Sequence, residues 1–364
     1  MGRHPGHNFP RMSVCLNMIV RDESAVIERC LASVRPHVDH WVIVDTGSLD
    51  DTRERIRRAM QGVPGDLFER PWRDFGSNRT EALGLARDRA DYLLFIDADE
   101  TLGCEPRVAW PALTGDAYSV EARYAELRYD RVSLVSTRLP WRWQGAVHEY
   151  LDAGRPVDQP RVPGFWIEVK SEGARSRDPH KFEKDAALLE AALAREPSNA
   201  RHAFYLAQSW RDAGQAAKAR EAYAKRAAMG GWDEEVWCSL HEVALLSERL
   251  GEAHERVLAA YLRAHEARPR RAETLVALAR YLRLRNDYHG AYLFAHAAKK
   301  LPVPGDRLFV DATAYGWRRD DELALAAFYS GRVAEAAALW REMLASPGLP
   351  EAQRARIELN LTFA

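Results

Sequence analysis

The sequence predicts an α/β domain built on a mostly parallel sheet, followed by an all-α domain of repeated helix pairs. Three observations carry this reading. Up to about Tyr118, short apolar runs alternate with amphipathic stretches, the pattern of strands joined by helical crossovers. From about Phe182 the spacing turns helical, Ala-rich and repetitive. The 364 residues also exceed one ordinary domain, at ~100–200 residues each.

Residues 1–11, MGRHPGHNFPR, are polar and broken by Gly and Pro, and read as a flexible tail without the apolar core of a signal peptide. Ser13–Val20 is a near-continuous apolar run, as a strand covered on both faces should be. Ser24–Val34 follows at helical spacing, then a strand at Trp41–Val44 and a helix at Asp51–Met60. Leu67–Phe68 reads as a short third strand, Thr80–Arg89 as a helix, and Tyr92–Ile96 as a fourth strand. Val120–Gly173, rich in Trp and Pro, reads as strands and loops completing the first domain over 12–180.

Over 181–364, helix pairs are expected to turn at Gly214, Gly251, Asn286 and Gly331, spaced by 37, 35 and 45 residues. Ala219, Ala291 and Ala336 follow five positions after three of these turns. Tyr223, Ala260, Ala295 and Trp340 follow nine positions after the four. The period lies near the ~34 residues of the tetratricopeptide repeat, whose stacked helix pairs form a solenoid. Pro302–Asp306 should interrupt the third and fourth pairs, and Arg354–Leu361 should cap the end.

Composition removes several classes. With 52 Lys+Arg against 53 Asp+Glu the net charge is −1, which excludes a uniformly basic nucleic-acid binder. Cys15, Cys30, Cys104 and Cys238 form no C-x-x-C pair and no zinc spacing, as buried thiols of a reducing compartment would. No apolar run approaches the ~20 residues of a membrane span. A cytoplasmic protein is the expectation. Phosphate-loop, nucleophile-elbow and H-E-x-x-H motifs are missing from the sequence.

Ligands of open parallel sheets gather at the carboxyl ends of strands, which draws attention to Asp45 and to Asp97-Ala98-Asp99-Glu100. Two carboxylates at i and i+2 just past a buried strand suit Mg²⁺ or Mn²⁺, which take hard oxygen ligands and leave room for a diphosphate. The bland alternative is an acidic loop start. Asp45 can accept the imide N–H of uracil while Gly47 lets the chain turn; Ser48, Asp50 and Asp51 compete as helix caps. His148 beside such a site can complete a metal shell, and Glu149 can act as general base. Trp141 and Trp143 suit either stacking on a sugar or the core. Arg175 and Lys181 could bind a diphosphate, or belong to a solvated strap between domains.

Together these pieces resemble a family 2 glycosyltransferase of the GT-A fold, with its Rossmann-like sheet. The resemblance rests on Arg21-Asp22-Glu23, Arg29-Cys30-Leu31, Val44 through Thr52, and the D-x-D at Asp97 and Asp99. It sharpens toward a branch with tetratricopeptide-like C-terminal repeats, similar to the bacteriocin peptide S-glycosyltransferases. That branch is marked by Leu16 through Glu23, Trp143 through Tyr150 and Phe204 through Ser209.

The resemblance implies a nucleotide-sugar donor, most often a UDP-sugar, with Mn²⁺ or Mg²⁺ and inversion at the transferred carbon. Asn17 and Asp45 would contact uracil, and Arg79 would approach the nucleotide unless it is a plain surface arginine. Asp97 would face ribose or metal, Asp99 and His148 would bind the metal, and Glu149 would be the base. A peptide, protein or glycan acceptor and a homodimer through the repeats are further expectations. The competing expectation is a protein-binding scaffold whose sheet domain holds a nucleotide without turnover.

Overall fold

The computed structural model describes residues 12–124, 127–170, 172–306 and 308–364; the expected tail at 1–11 lies outside them. The chain divides into two compact units between Leu188 and Leu189.

In the first unit β1 (Val14–Val20) is followed by α1 (Ile27–Val34), β2 (His40–Asp45), α2 (Thr52–Ala59), β3 (Gly65–Glu69), α3 (Phe75–Ala86) and β4 (Tyr92–Phe95). These four strands are mutually parallel in the order β3-β2-β1-β4. The continuous apolar run of β1 has the expected cause. Leu16, Met18 and Val20 pack with Ile27, Leu31 and Val34 of α1 and Ile56 of α2 on one face. Cys15 packs with Leu83 and Ala86 of α3 on the other. Burying each such aliphatic side chain stabilises the fold by ~1.5–3 kcal/mol.

The chain continues through β5 (Thr101–Cys104), β6 (Ala117–Tyr124), β7 (Leu127–Ser136), β8 (Arg142–Gln144), β9 (Tyr150–Asp152) and β10 (Arg161–Glu168). The full sheet reads β3-β2-β1-β4-β7-β6-β10-β5, with β8 and β9 paired separately. Beyond β4 the direction is mixed: β7 is antiparallel to β4 and β6, and β10 is parallel to β6 but antiparallel to β5. The antiparallel joint at β4–β7 matters for the site, because it sets the middle of β7 beside the carboxyl end of β4.

The helix α4 (Lys181–Arg195) runs across the division between the units. The helical unit then stacks α5 (Ala200–Asp212) with α6 (Ala216–Ala228), α7 (Asp233–Arg249) with α8 (His254–Ala267), α9 (Ala272–Arg283) with α10 (Tyr288–Lys299), and α11 (Trp317–Tyr329) with α12 (Val333–Ala345). The last helix is α13 (Glu351–Leu361). The four pairs turn where the sequence places them: Gly214, Gly251, Asn286 and Gly331 all have positive φ, between +64° and +83°, the left-handed conformation that ends a helix. Ala219, Ala291 and Ala336 are fully buried, the small side chains letting paired helices approach. No helix among the described residues is long and apolar enough to cross a membrane.

Candidate functional site

The parallel strands β1, β2 and β4 end side by side, and the loops beyond them are laced together. The Asp22 amide donates to Ser48 Oγ (2.9 Å), the Glu23 amide to Thr52 Oγ1 (2.8 Å) and the Ser24 amide to Asp50 Oδ2 (3.1 Å). Asp22 has φ +54° and Gly47 φ +112°, so both loops turn through the left-handed region. Asp45, at the end of β2, is 1% exposed. Its Oδ1 accepts from the amides of Gly47 (2.9 Å) and Ser48 (2.8 Å), while its buried Oδ2 has no partner. An orphaned buried carboxylate oxygen is costly, and it is the acceptor an imide N–H would satisfy.

The turn after β4 is held by its own last residue. Glu100, 2% exposed, accepts the Asp97 amide (2.9 Å) and both guanidinium nitrogens of Arg131 (2.7 and 2.6 Å). Arg131 stands at the middle of β7, so the antiparallel joint delivers it. Asp97 and Asp99 therefore leave a turn whose shape is fixed from beneath.

Arg79 of α3 joins separate parts of the chain. It donates to Asp97 Oδ1 (2.5 Å) and to Glu149 Oε1 (2.7 Å), with its side chain 12% exposed. The guanidinium lies 5.2 Å from the Trp143 ring centre. The surface-arginine alternative does not describe it. The helix reaches this position because it docks tightly on the 143–149 segment: the Phe75 amide bonds the Ala146 carbonyl (3.1 Å) and Thr80 Oγ1 bonds both the Trp143 amide and carbonyl. A Cβ on Gly76 would lie 2.3 Å from the Gly145 carbonyl oxygen.

The segment after β10 covers the remaining acids. The Gly173 amide donates to Asp99 Oδ2 (3.0 Å) and the Ala174 amide to Glu23 (3.2 and 3.3 Å). Arg29 ties the segment down through Glu172 (2.6 Å) and also bonds the Asp99 carbonyl (3.2 Å). A Cβ on Gly173 would stand 2.9 Å from Asp99 Oδ2, so the absence of a side chain permits the contact.

Electrostatics divide the acids. Burial pushes Asp97 upward, but Arg79 and then Arg131 outweigh it and hold the carboxyl below its usual range. Asp99 is raised by burial and by the Asp97 charge, against the opposing Gly173 amide. Glu23 is pushed up to about 7, chiefly by burial and with repulsion from Asp99, the Ala174 amide opposing. Glu100 is raised by burial and by Asp97 despite Arg131.

Not every expected residue joins it. Asn17 is 2% exposed, and its amide nitrogen donates to the carbonyls of Ala82 (2.9 Å) and Val42 (3.4 Å). The structure places it in the packing between β1 and α3. Arg175 is spent on Asp185, donating to both oxygens at 2.6 Å, with its guanidinium 4.3 Å from the Phe75 ring; its charge still helps hold Asp97 down. Lys181 lies over Phe182 (5.2 Å). It is thus backbone amides of the 173–174 segment, not the side chains of Arg175 and Lys181, that meet the acids.

His148 is exposed and has φ +51°. Among the described residues no three His, Cys, Asp or Glu are arranged to hold a metal ion, so the expected set of Asp97, Asp99 and His148 is not assembled here. Asp97 instead bonds Arg79, and Asp99 bonds an amide. Trp141 is a core residue, 4% exposed, bonding the Ser136 carbonyl (3.0 Å).

Sequence reasoning left Glu23, Glu100 and Arg131 without roles. Glu23 was within reach of the strand-end rule, since it follows β1 as Asp45 follows β2. Arg131 gives no local signal, because only the strand pairing brings it to Glu100.

Comparison with known proteins gives a family match within the sheet unit. Residues 15–103 match the family described as glycosyl transferase family 2; Glu149, Arg131 and the 172–177 segment lie beyond the match. A TPR repeat-containing protein of Synechococcus elongatus is 33% identical over 174 residues, covering 44% of this chain and 40% of that protein. The chain therefore spans less than half the length of that relative. Among solved structures, the MamA protein is 16% identical over 48% of this chain and 85% of its own, with a TM-score of 0.37. A thermophilic TPR protein of Thermus thermophilus is 20% identical over 50% and 91%, with a TM-score of 0.35. Residues 15–103 of the sheet unit are thus similar to glycosyl transferase family 2, and the helical unit that follows is built of stacked helix pairs.

Proposed function

We propose that the chain transfers a glycosyl group, with inversion, from a nucleotide-sugar donor to a peptide, protein or glycan acceptor, the donor being a UDP-sugar. One observation carries the reading: Arg79 bonds Asp97 and Glu149 together at the carboxyl end of β4, uniting residues from three separate stretches of sequence. Asp45 Oδ2 is the acceptor for the uracil imide, its partner oxygen fixed by two amides. Glu149 takes the proton of the attacking acceptor atom as general base. Arg79 holds and orients that carboxylate. A peptide acceptor suits the helical unit, since repeat solenoids present grooves to extended chains.

A divalent cation would stabilise the charge that develops on the departing diphosphate. The residues as arranged do not form its site, so no step here is routed through it. The test is a hydrolysis screen of UDP- and GDP-sugars with Mn²⁺, with Mg²⁺ and with neither. Release of UDP is expected, abolished by Asp99→Asn. Full activity in Asp99→Asn, or no hydrolysis and no nucleotide binding by folded protein, would leave the scaffold reading in its place.

A further inference from the structure

β7 is an inner strand of the sheet, between β4 and β6. Leu134 pairs with Leu94, and Arg131 pairs with Val120. Counted three residues back from Leu134 and three on from Leu94, Arg131 comes level with Asp97. An arginine carried by a strand is placed more precisely than one carried by a loop.

From Arg131, hydrogen bonds run without a gap to Glu149. Two guanidinium nitrogens grip the two oxygens of Glu100 (2.7 and 2.6 Å). Glu100 Oε2 accepts the Asp97 amide (2.9 Å). Asp97 Oδ1 accepts from Arg79, whose Nε donates to Glu149 Oε1 (2.7 Å). Arg131 and Glu149 both lie beyond residues 15–103, so the family match marks neither end of this chain of bonds.

Packing does not explain its first link. The Glu100 side chain is 3% exposed, and a buried ion pair is commonly no more stabilising than apolar side chains of similar volume. What the pair supplies is direction. A guanidinium fork meets both carboxylate oxygens in one plane, whereas an ammonium meets them as a point charge and leaves the carboxylate free to turn. The fork thus fixes Oε2 on the Asp97 amide, and with it the place of the carboxylate that Arg79 holds.

We infer that Arg131 is a positioning residue: acting through Glu100, Asp97 and Arg79, it sets where the Glu149 carboxylate stands. The inference rests on the glycosyl-transfer reading, in which Glu149 is the base, and gives that site a determinant outside the family-matched segment.

Arg131→Met would leave Glu100 buried without its cation and endanger the fold. The test is therefore Arg131→Lys, which keeps the charge and removes the fork. The full chain, wild type and variant, is assayed for hydrolysis of the UDP-sugar that the wild type turns over fastest, with urea denaturation confirming that both are folded. Glu149 works in the chemical step and not in donor binding, so kcat should fall about tenfold while KM stays within about twofold. In a Glu149→Gln background the same substitution should change kcat by less than about twofold, because the group it positions has gone. A side chain that only held the sheet together would lower kcat equally in both backgrounds, and that result would overturn the inference. Wild-type kcat in Arg131→Lys, or a change confined to KM, would overturn it as well. A wild-type chain that hydrolyses no UDP-sugar would remove the transfer reading and this inference with it, whereas the variants failing as described remove the inference alone.

Discussion

Gly76→Ala and Gly84→Ala place the same methyl group on the same helix with opposite expected results. A Cβ at Gly84 meets nothing within 4 Å, whereas at Gly76 it falls 2.3 Å from the Gly145 carbonyl oxygen and 3.4 Å from that of Trp143. Both neighbours are backbone and cannot swing aside. Restoring ordinary contact requires α3 and the 143–149 segment to part by roughly 1 Å. Gly84→Ala should stabilise the chain by ~0.5–1 kcal/mol through helix propensity. Gly76→Ala should gain the same propensity but lose ~1–3 kcal/mol to overpacking. Because Arg79 rides on α3 and Glu149 on the facing segment, the parting also lengthens their 2.7 Å bond. Misplacement of catalytic groups by ~1 Å costs on the order of 10²-fold in rate. Urea denaturation and UDP-sugar hydrolysis read the two effects independently. Wild-type stability together with wild-type turnover in Gly76→Ala would refute the claim that close approach positions Glu149.

Three further expectations follow from the same geometry. Arg79→Met leaves Asp97 and Glu149 without their shared cation, which should cost ~2–4 kcal/mol at neutral pH; urea denaturation at pH 7 reads the loss, and wild-type stability would show that the two ion pairs do not hold the fold. In the helical unit, Arg268 and then Arg271 hold Asp306 at about 2 against an ordinary 3.8. That stabilisation is present above about pH 4 and lost as the pH falls through 2, so Asp306→Asn should weaken the fold by ~1–2 kcal/mol at pH 7, with the difference vanishing near pH 2. Gly173→Ala sets a Cβ 2.9 Å from Asp99 Oδ2; hydrogen exchange of the 172–177 amides should quicken, and unchanged protection would show that the segment has room to spare.

The parts of this fold that a sequence reveals are those whose cause is local. β1, β2 and β4 read as strands because helices cover both faces, leaving uninterrupted apolar runs. Gly214, Gly251, Asn286 and Gly331 mark turns because the left-handed backbone there favours those residue types. Asp45, Asp97 and Asp99 stand out because parallel strands deliver ligands at their carboxyl ends. Beyond β4 the strand directions are mixed, and β6 and β10 alternate buried with partly exposed residues, so their pairing order is invisible. Arg131 follows from that pairing alone. Asn17 shows the converse: the resemblance places it at the nucleotide, yet the carbonyls of Val42 on β2 and Ala82 on α3 satisfy its amide. The 172–177 segment was legible as a strap with charge, but its working groups are amides, which every residue except proline possesses and no composition discloses.

The distribution of charge also bears on the choice between enzyme and scaffold. Asp97, Asp99, Glu100 and Glu23 crowd the end of one sheet, and burial and mutual repulsion raise three of them. Such crowding lowers stability, and the fold maintains it with specific devices: Arg131 under Glu100, Arg79 between Asp97 and Glu149, and two backbone amides over Asp99 and Glu23. A scaffold that only held protein partners on its helical unit would gain nothing from these acids, and apolar or neutral side chains would make the sheet more stable. Departures of this kind from the stablest arrangement concentrate at sites where chemistry needs them. The acids gather where parallel strands end, beside the orphaned oxygen of Asp45. On the glycosyl-transfer reading proposed above, that placement at the carboxyl ends of parallel strands is where a donor would bind.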